Sequence, residues 1–281
     1  MNDPTLQAQI DAARAYEALF VPALFGQWAA KVVDAARIQP GLRVLDVACG
    51  TGVLARAVLS RTGPTGYVAG LDPNPGMLAV ANELAAVVNW RQGSAESMPF
   101  PDRSFDTVVS QFGLMFFVDR QQALREMLRV LTPGGCLVVA VWDALVNIPA
   151  YAAEVALLER LAGPRAANAL RAPFALGDRE NLSTLFKDAG AATVAIATYQ
   201  GTARFPSIRV MVEADLRGWL PVMGVILTEE EIGRILQEAA GAMGEYASPD
   251  GRVAFEVRAH LVTATKSSSG AHDEDPCSHS E

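Results

Sequence analysis

The residues most able to do chemistry lie in one short run, Asp46-Val47-Ala48-Cys49-Gly50-Thr51-Gly52. It sets an acid beside two glycines directly after an apolar stretch. Glycines at this spacing permit a tight turn and let backbone come close to a ligand at the end of a strand. Alone, Gly50-x-Gly52-x-x-Ala55 also fits a dinucleotide fingerprint. Asp46 separates the two ligand classes by sign. A carboxylate here repels a pyrophosphate and attracts a cation, and unit charges about 4 Å apart interact by about 4 kcal/mol at an effective dielectric near 20. Asp72 follows twenty residues after Gly52. An acid ending the next strand accepts hydrogen bonds from both hydroxyls of a ribose.

A sugar-bearing cation fits both acids, and S-adenosylmethionine carries an ammonium and a sulfonium. Met77, one turn into the next helix, is placed to cover an adenine face or to pack in the core. Ser94 and Ala95 open the loop after the third strand, where their backbone can read the adenine edge. Gln111 and Phe112 close the fourth strand at the same edge. Phe112, Phe116 and Phe117 are candidates for an apolar acceptor pocket or for plain core. Asp143 stands just past the fifth strand, either facing the acceptor as a base or capping a turn. Tyr151 and Glu17 are weaker candidates for the same role. His260 is the one histidine outside the last ten residues, and a histidine base requires it to reach the site from the final strand. Cys49 lacks a partner base and reads as a small residue beside the ligand.

Positioning these residues takes a regular alternation of elements. Residues 5–37 have helical spacing, with Pro22 where a second helix starts. Strands are expected over 43–48, 67–71, 87–92, 105–111 and 136–142, with helices over 53–60, 75–86 and 121–131 between them. Thr132-Pro133-Gly134-Gly135 stops the last of these helices. Such alternation implies a doubly wound, mostly parallel α/β sheet with right-handed crossovers. Beyond Asp143, helices are expected over 149–161, 178–189, 207–220 and 228–243, and strands over 192–199 and 253–265. The resulting division is N-terminal helices as a cap over 1–40, a ligand-binding core over 41–200, a helical lid over 201–250, a last strand over 251–266, and a disordered acidic tail over 267–281.

The 281 residues carry a net charge of −8, and without the last eleven the charge is −4. Neither value resembles a basic nucleic-acid surface. The three cysteines are far apart and form no C-x-x-C pair, which argues against a disulfide framework. No basic-then-apolar leader and no apolar run of about 18 residues occurs. The expectation is a cytoplasmic protein without a transmembrane segment, a metal or a nucleic-acid partner. Homodimer formation is an open option.

Residues 44–52 (VLDVACGTG), 70–78 (GLDPNPGML), 93–109 (GSAESMPFPDRSFDTVV) and 129–139 (RVLTPGGCLVV) stand in the order and spacing of the class I S-adenosylmethionine-dependent methyltransferase motifs. This stretch resembles most the ubiquinone/menaquinone-biosynthesis (methyltransferase type 11) group. The likeness is specific over 42–142 and fainter over 16–39 and 178–199. It implies a Rossmann-like seven-stranded sheet with an antiparallel last strand. It also implies donor contacts at Asp46, Ala48, Gly50, Thr51, Gly52, Asp72, Ser94, Ala95 and Gln111, with Tyr16 or Phe20 closing over the donor. Tyr16 joins Asp143 as a candidate catalytic residue on that basis. The implied function is methyl transfer from S-adenosylmethionine to a small, hydrophobic acceptor at carbon or oxygen. Leu114-Met115-Phe116-Phe117 is apolar where the quinone enzymes show Arg-Asn, and their C-terminal signature is absent, so the acceptor stays open. A catalytically silent donor-binding protein and an NAD-dependent oxidoreductase are the alternatives. The latter lacks a Tyr-x-x-x-Lys pair and must accommodate Asp46.

Overall fold

Arg43-Val44-Leu45-Asp46-Val47 forms strand β1 (Arg43–Val47) and is buried after its first residue, the pattern of a strand covered on both faces. In the computed structural model, which describes residues 4–268, β1 lies at the centre of a seven-stranded sheet. The other strands are β2 (Tyr67–Asp72), β3 (Asn89–Gln92), β4 (Phe105–Gln111), β5 (Leu131–Trp142), β6 (Thr193–Phe205) and β7 (Val253–Thr265), in the spatial order β3-β2-β1-β4-β5-β7-β6. The first five run parallel. β7 runs antiparallel to both β5 and β6, as the resemblance implied. The winding reverses between β1 and β4, so a crevice opens at their carboxyl ends, where Asp46 and Gln111 lie.

Among the described residues, ten helices accompany the sheet: α1 (Pro4–Phe20), α2 (Gly26–Ala35), α3 (Val53–Thr62), α4 (Pro75–Leu84), α5 (Arg120–Val130), α6 (Pro149–Arg171), α7 (Arg179–Asp188), α8 (Ile208–Ala214), α9 (Leu220–Val222) and α10 (Glu229–Met243). α10 starts at a full capping box, with Thr228 and Glu231 each satisfying the other's backbone amide. α1 crosses α4 where Gly76 permits it: a Cβ there would stand 2.5 Å from the Gln9 backbone.

Several boundaries differ from the sequence reading. Pro22 does not separate two helices, because a π-helical turn, Val21–Phe25, carries α1 into α2. Thr132 to Gly135 does not end in a free turn; it bulges within β5, whose register against β4 shifts between Phe105 and Thr107. α6 continues past 161, kinked where Gly163 (φ 83°) precedes Pro164. β6 runs on to Phe205, so the boundary placed at 200 falls inside a strand. Its extension is held from the side by Gln27, whose amide donates to the Thr202 carbonyl and accepts from the Thr202 amide, as a neighbouring strand would. The helix expected over 207–220 is broken by a π-helical turn, Asp215–Trp219. Most of the tail expected over 267–281 lies outside the described residues. No helix among the described residues is long and apolar enough to cross a membrane.

Candidate functional site

The turn after β1 is built from left-handed residues in alternation: Ala48 (φ 57°), Gly50 (φ 53°) and Gly52 (φ 86°). Gly50 and Gly52 carry this for opposite reasons. A Cβ on Gly50 would meet nothing within 4 Å, so its face is open toward the crevice. A Cβ on Gly52 would stand 2.5 Å from the Trp90 indole. Trp90 therefore packs directly against the turn. Gly50→Ala is expected to lower stability by only about 1–2 kcal/mol, the cost of a left-handed L-residue, yet to weaken ligand binding by more than tenfold. Gly52→Ala adds overpacking against Trp90 and is expected to lose about 2–4 kcal/mol in all. Melting curves and S-adenosylhomocysteine titrations of both variants separate the effects, and full ligand affinity in Gly50→Ala would remove Gly50 from the site.

Asp72 is fixed by two backbone amides. Gly50 N–H donates to its Oδ2 at 2.9 Å, and Asn74 N–H donates to its Oδ1 at 2.9 Å. Burial raises its pKa while those amides pull it down. Asn74 in turn caps α4, accepting from Gly76 and Met77, which places Met77 half-buried in the first turn. Asp46 has no amide at hydrogen-bond geometry. It is 1% exposed, and neither of its oxygens has a hydrogen-bond partner. Burial pushes its carboxyl well above the usual carboxylate range; the Ala55 backbone amide, turned toward it but outside hydrogen-bond geometry, pulls it part of the way back, and the nearby Asp72 charge adds to the rise. On the other wall, Ala95 is buried and Ser94 exposed, the Ser94 hydroxyl donating to Glu96 at 2.6 Å. Gln111 donates to the Phe25 carbonyl at 3.2 Å and leaves its own Oε1 unpartnered.

The N-terminal cap closes directly over this turn. Glu17 on α1 accepts from the Thr51 hydroxyl at 2.5 Å and pairs with Arg56 at 2.7 Å; Arg56 also donates to the Thr51 carbonyl. Glu17 thus clasps α1 to the turn. Arg56 escaped the sequence reading, because a lone arginine on a helix reads as solvated surface. Tyr16, next to Glu17, packs on Phe20 and Phe25 with ring centroids 5.9 and 5.4 Å apart. Its hydroxyl pKa is raised by burial and by the charges of Glu17 and Asp72. The aromatic run continues through Phe25 to Phe112 and Trp142, which stack at 3.9 Å with 11° between planes. Phe112 therefore belongs to a packed cluster. Phe116 stands apart against Trp219, with centroids 4.9 Å apart.

Asp143 is engaged through one carboxylate oxygen. Its Oδ1 accepts from the Ala144 amide at 2.7 Å and from Asn147 at 3.0 Å, and lies 3.1 Å from His260 Nε2. His260 is 2% exposed. Its Nε2 also faces the Gly177 carbonyl at 3.0 Å, and its Nδ1 meets the Thr198 hydroxyl at 2.9 Å. A neutral ring with its proton on Nε2 satisfies all of these contacts. Asp143 and His260 together tie the end of β5 to β7 and to the loop before α7. This is the turn-capping alternative for Asp143, and it leaves His260 no free nitrogen for proton transfer.

The parallel sheet with an antiparallel β7, the glycine turn after β1 and the acid ending β2 define a class I, Rossmann-like methyltransferase fold. Residues 45–139 match the family model described as a methyltransferase domain. The ubiquinone/menaquinone biosynthesis C-methyltransferase of Ectopseudomonas mendocina is 44% identical over 118 residues, which is 40% of this chain and 46% of that one. The chain thus spans about half the length of the curated relatives it matches. Among solved structures, the YcgJ protein of Bacillus subtilis superposes with a TM-score of 0.58 at 20% identity, covering 86% of this chain and 98% of that one. A Haemonchus contortus phosphoethanolamine N-methyltransferase 2, solved with S-adenosylhomocysteine, has a TM-score of 0.56 at 17% identity, covering 91% of this chain and 57% of that one. At these identities the structural neighbours establish the fold alone.

Proposed function

We propose that this chain is an S-adenosylmethionine-dependent methyltransferase acting on a small, mostly hydrophobic molecule at carbon or oxygen. The observation that carries this reading is the Asp46 carboxyl, buried and without a partner beside a turn whose Gly50 face is open. An unpaired buried acid is costly unless a cation meets it, and the donor brings one. The match over 45–139 supports the reading independently. Because that segment ends before the lid, the quinones in the relatives' names are not carried over as acceptors.

Bound there, S-adenosylmethionine supplies a methyl group already activated on a sulfonium, open to in-line displacement. The chain's own residues then have to position and dehydrate the reactants. Asp72, held by two amides, accepts from the ribose hydroxyls. Asp46 balances positive charge at the turn formed by Ala48, Gly50, Thr51 and Gly52. The Ser94-Ala95 backbone meets the adenine edge, and Met77 covers its face. Gln111, with Oε1 free, faces the methionyl end. The Glu17 clasp holds Tyr16 and Phe20 over the crevice and keeps water out.

Calorimetric titration of S-adenosylhomocysteine tests this. Wild type is expected to bind at micromolar affinity or better, and Asp72→Ala at least tenfold more weakly. A folded wild type that binds NADH and not S-adenosylhomocysteine would overturn the proposal in favour of an oxidoreductase. Tight donor binding without turnover on any phenol, quinone, acid or amine would point to the silent binder.

A further inference from the structure

The lid holds a second set of buried acids that the donor site does not use. Tyr151 and Glu154 lie one turn apart on the buried face of α6, the i,i+3 spacing that puts two side chains side by side. Asp215 opens the π-helical turn between α8 and α9. Glu154 is fully buried and Asp215 is 4% exposed. Both oxygens of Glu154 and Oδ2 of Asp215 have no hydrogen-bond partner. No Lys, Arg or His among the described residues pairs with either acid. The turn that starts at Asp215 leads directly into α9, which packs on α6, and the charge on Asp215 disfavours ionisation of Glu154.

Their surroundings connect to the acceptor edge of the sheet. The turn that starts at Asp215 ends at Trp219, whose ring packs on Phe116 just beyond β4, and whose Nε1 donates to the Ala169 carbonyl at 2.9 Å. Tyr151 packs against Phe174 and Phe255, with centroids 5.5 and 5.6 Å away. Two acids in so apolar a place do not serve stability, since replacing buried ions by apolar groups of similar volume is often neutral or stabilising. They fall short of a metal site as well, and among the described residues no group of three or more His, Cys, Asp or Glu side chains is arranged to hold a metal. What fits is a group with several donors and a positive charge. An ammonium offers three N–H donors to three unpartnered oxygens, and aromatic faces beside it add cation–π attraction.

We infer that Glu154, Asp215 and Tyr151 are the recognition end of the acceptor site and take a cationic amine borne on an otherwise apolar molecule. This rests on the methyltransferase reading only for what the bound amine is used for; the binding itself stands on the lid.

The test uses the full chain saturated with S-adenosylhomocysteine. Phenethylamine and hexylamine are titrated against 2-phenylethanol and 1-hexanol, which share their skeletons without the charge. Each amine is expected to bind at least tenfold more tightly than its alcohol. Glu154→Gln and Asp215→Asn are each expected to reduce the amine to the level of the alcohol while leaving S-adenosylhomocysteine affinity unchanged. Retained donor binding in either variant shows that it is folded. Equal binding of amine and alcohol, no binding of either, or selectivity that survives in both variants overturns the inference. Failure of wild type to bind S-adenosylhomocysteine counts instead against the methyltransferase reading, and the amine-versus-alcohol comparison on the unsaturated protein still decides this one.

Discussion

Asp46→Asn is expected to weaken S-adenosylhomocysteine binding by two to three orders of magnitude while leaving the fold at least as stable as wild type. The two effects share one cause. Asp46 is buried with both oxygens unpartnered, so in the ligand-free protein it is a burden to the fold. Asn keeps the shape and removes the charge, and the lost attraction is about 4 kcal/mol for unit charges about 4 Å apart at an effective dielectric near 20. A pH signature accompanies this. Burial pushes the Asp46 carboxyl well above the usual range, so the empty site favours its protonated form more than a free carboxyl would. A cationic ligand favours the ionised form and expels that proton. Wild-type affinity should therefore rise with pH, with proton release visible as a dependence of the calorimetric heat on the buffer's ionisation enthalpy. Asp46→Asn should lose most of both. If it instead melts well below wild type and binds normally, Asp46 is a structural acid.

Stability should fall as pH rises, and the acids of the lid should be the main reason. Burial raises Asp215 to about 8, and burial together with the Asp215 charge raises Glu154 well above its ordinary value. The sign follows from proton counting. A carboxyl whose folded pKa is raised binds a proton in the native state at pH values where the unfolded chain has lost it. Its contribution is fully present below the unfolded pKa near 4, declines by about 1.4 kcal/mol per pH unit for each such group, and is exhausted once pH passes the folded value. For Asp215 that window runs from about pH 4 to about 8, and for Glu154 it starts in the same place. Urea unfolding at pH 5.5, 7 and 8.5 should show a steady loss of several kcal/mol in wild type. The Glu154→Gln, Asp215→Asn double variant should show a much shallower slope and higher stability at pH 8.5. An unchanged slope would assign the pH dependence to Asp46 and Asp72, whose pKa values burial also raises.

Local sequence was enough wherever one short segment determined its own geometry. Val44 to Val47 could only be a doubly covered strand, and the left-handed positions at Gly50 and Gly52 were readable from residue type alone. Asp72 ends β2 where the spacing placed it, and β4 and β7 run over the residues expected of them. Boundaries failed where a distant contact changed the local preference. Pro22 suits a helix start, yet packing of the cap draws the chain through a π-helical turn instead. β6 extends past Tyr199 because Gln200 to Phe205 pair with Arg258 back to Val253 of β7, and Gln27, 175 residues from Thr202, satisfies its backbone there.

The roles of single side chains divide along the same line. The sequence by itself determined the sheet, the glycine turn and two acids at its edge, because periodicity and glycine placement act within a few residues. It could not say which acid would be firmly fixed and which held loosely: Asp72 receives two amides from folded turns at 2.9 Å, and Asp46 has only the Ala55 amide turned toward it, outside hydrogen-bond geometry. Nor could it show that Asp143 is committed to Ala144, Asn147 and His260, or that Glu17 reaches across to Thr51 and Arg56. Glu154 did leave a trace, an acid on the same helical stripe as Tyr151, Val155 and Leu158. Only the tertiary structure decided that Asp215 stands opposite, because burial and charge proximity between residues some sixty positions apart are properties of packing, and the energy of a carboxylate depends on what surrounds it more than on its neighbours in the chain.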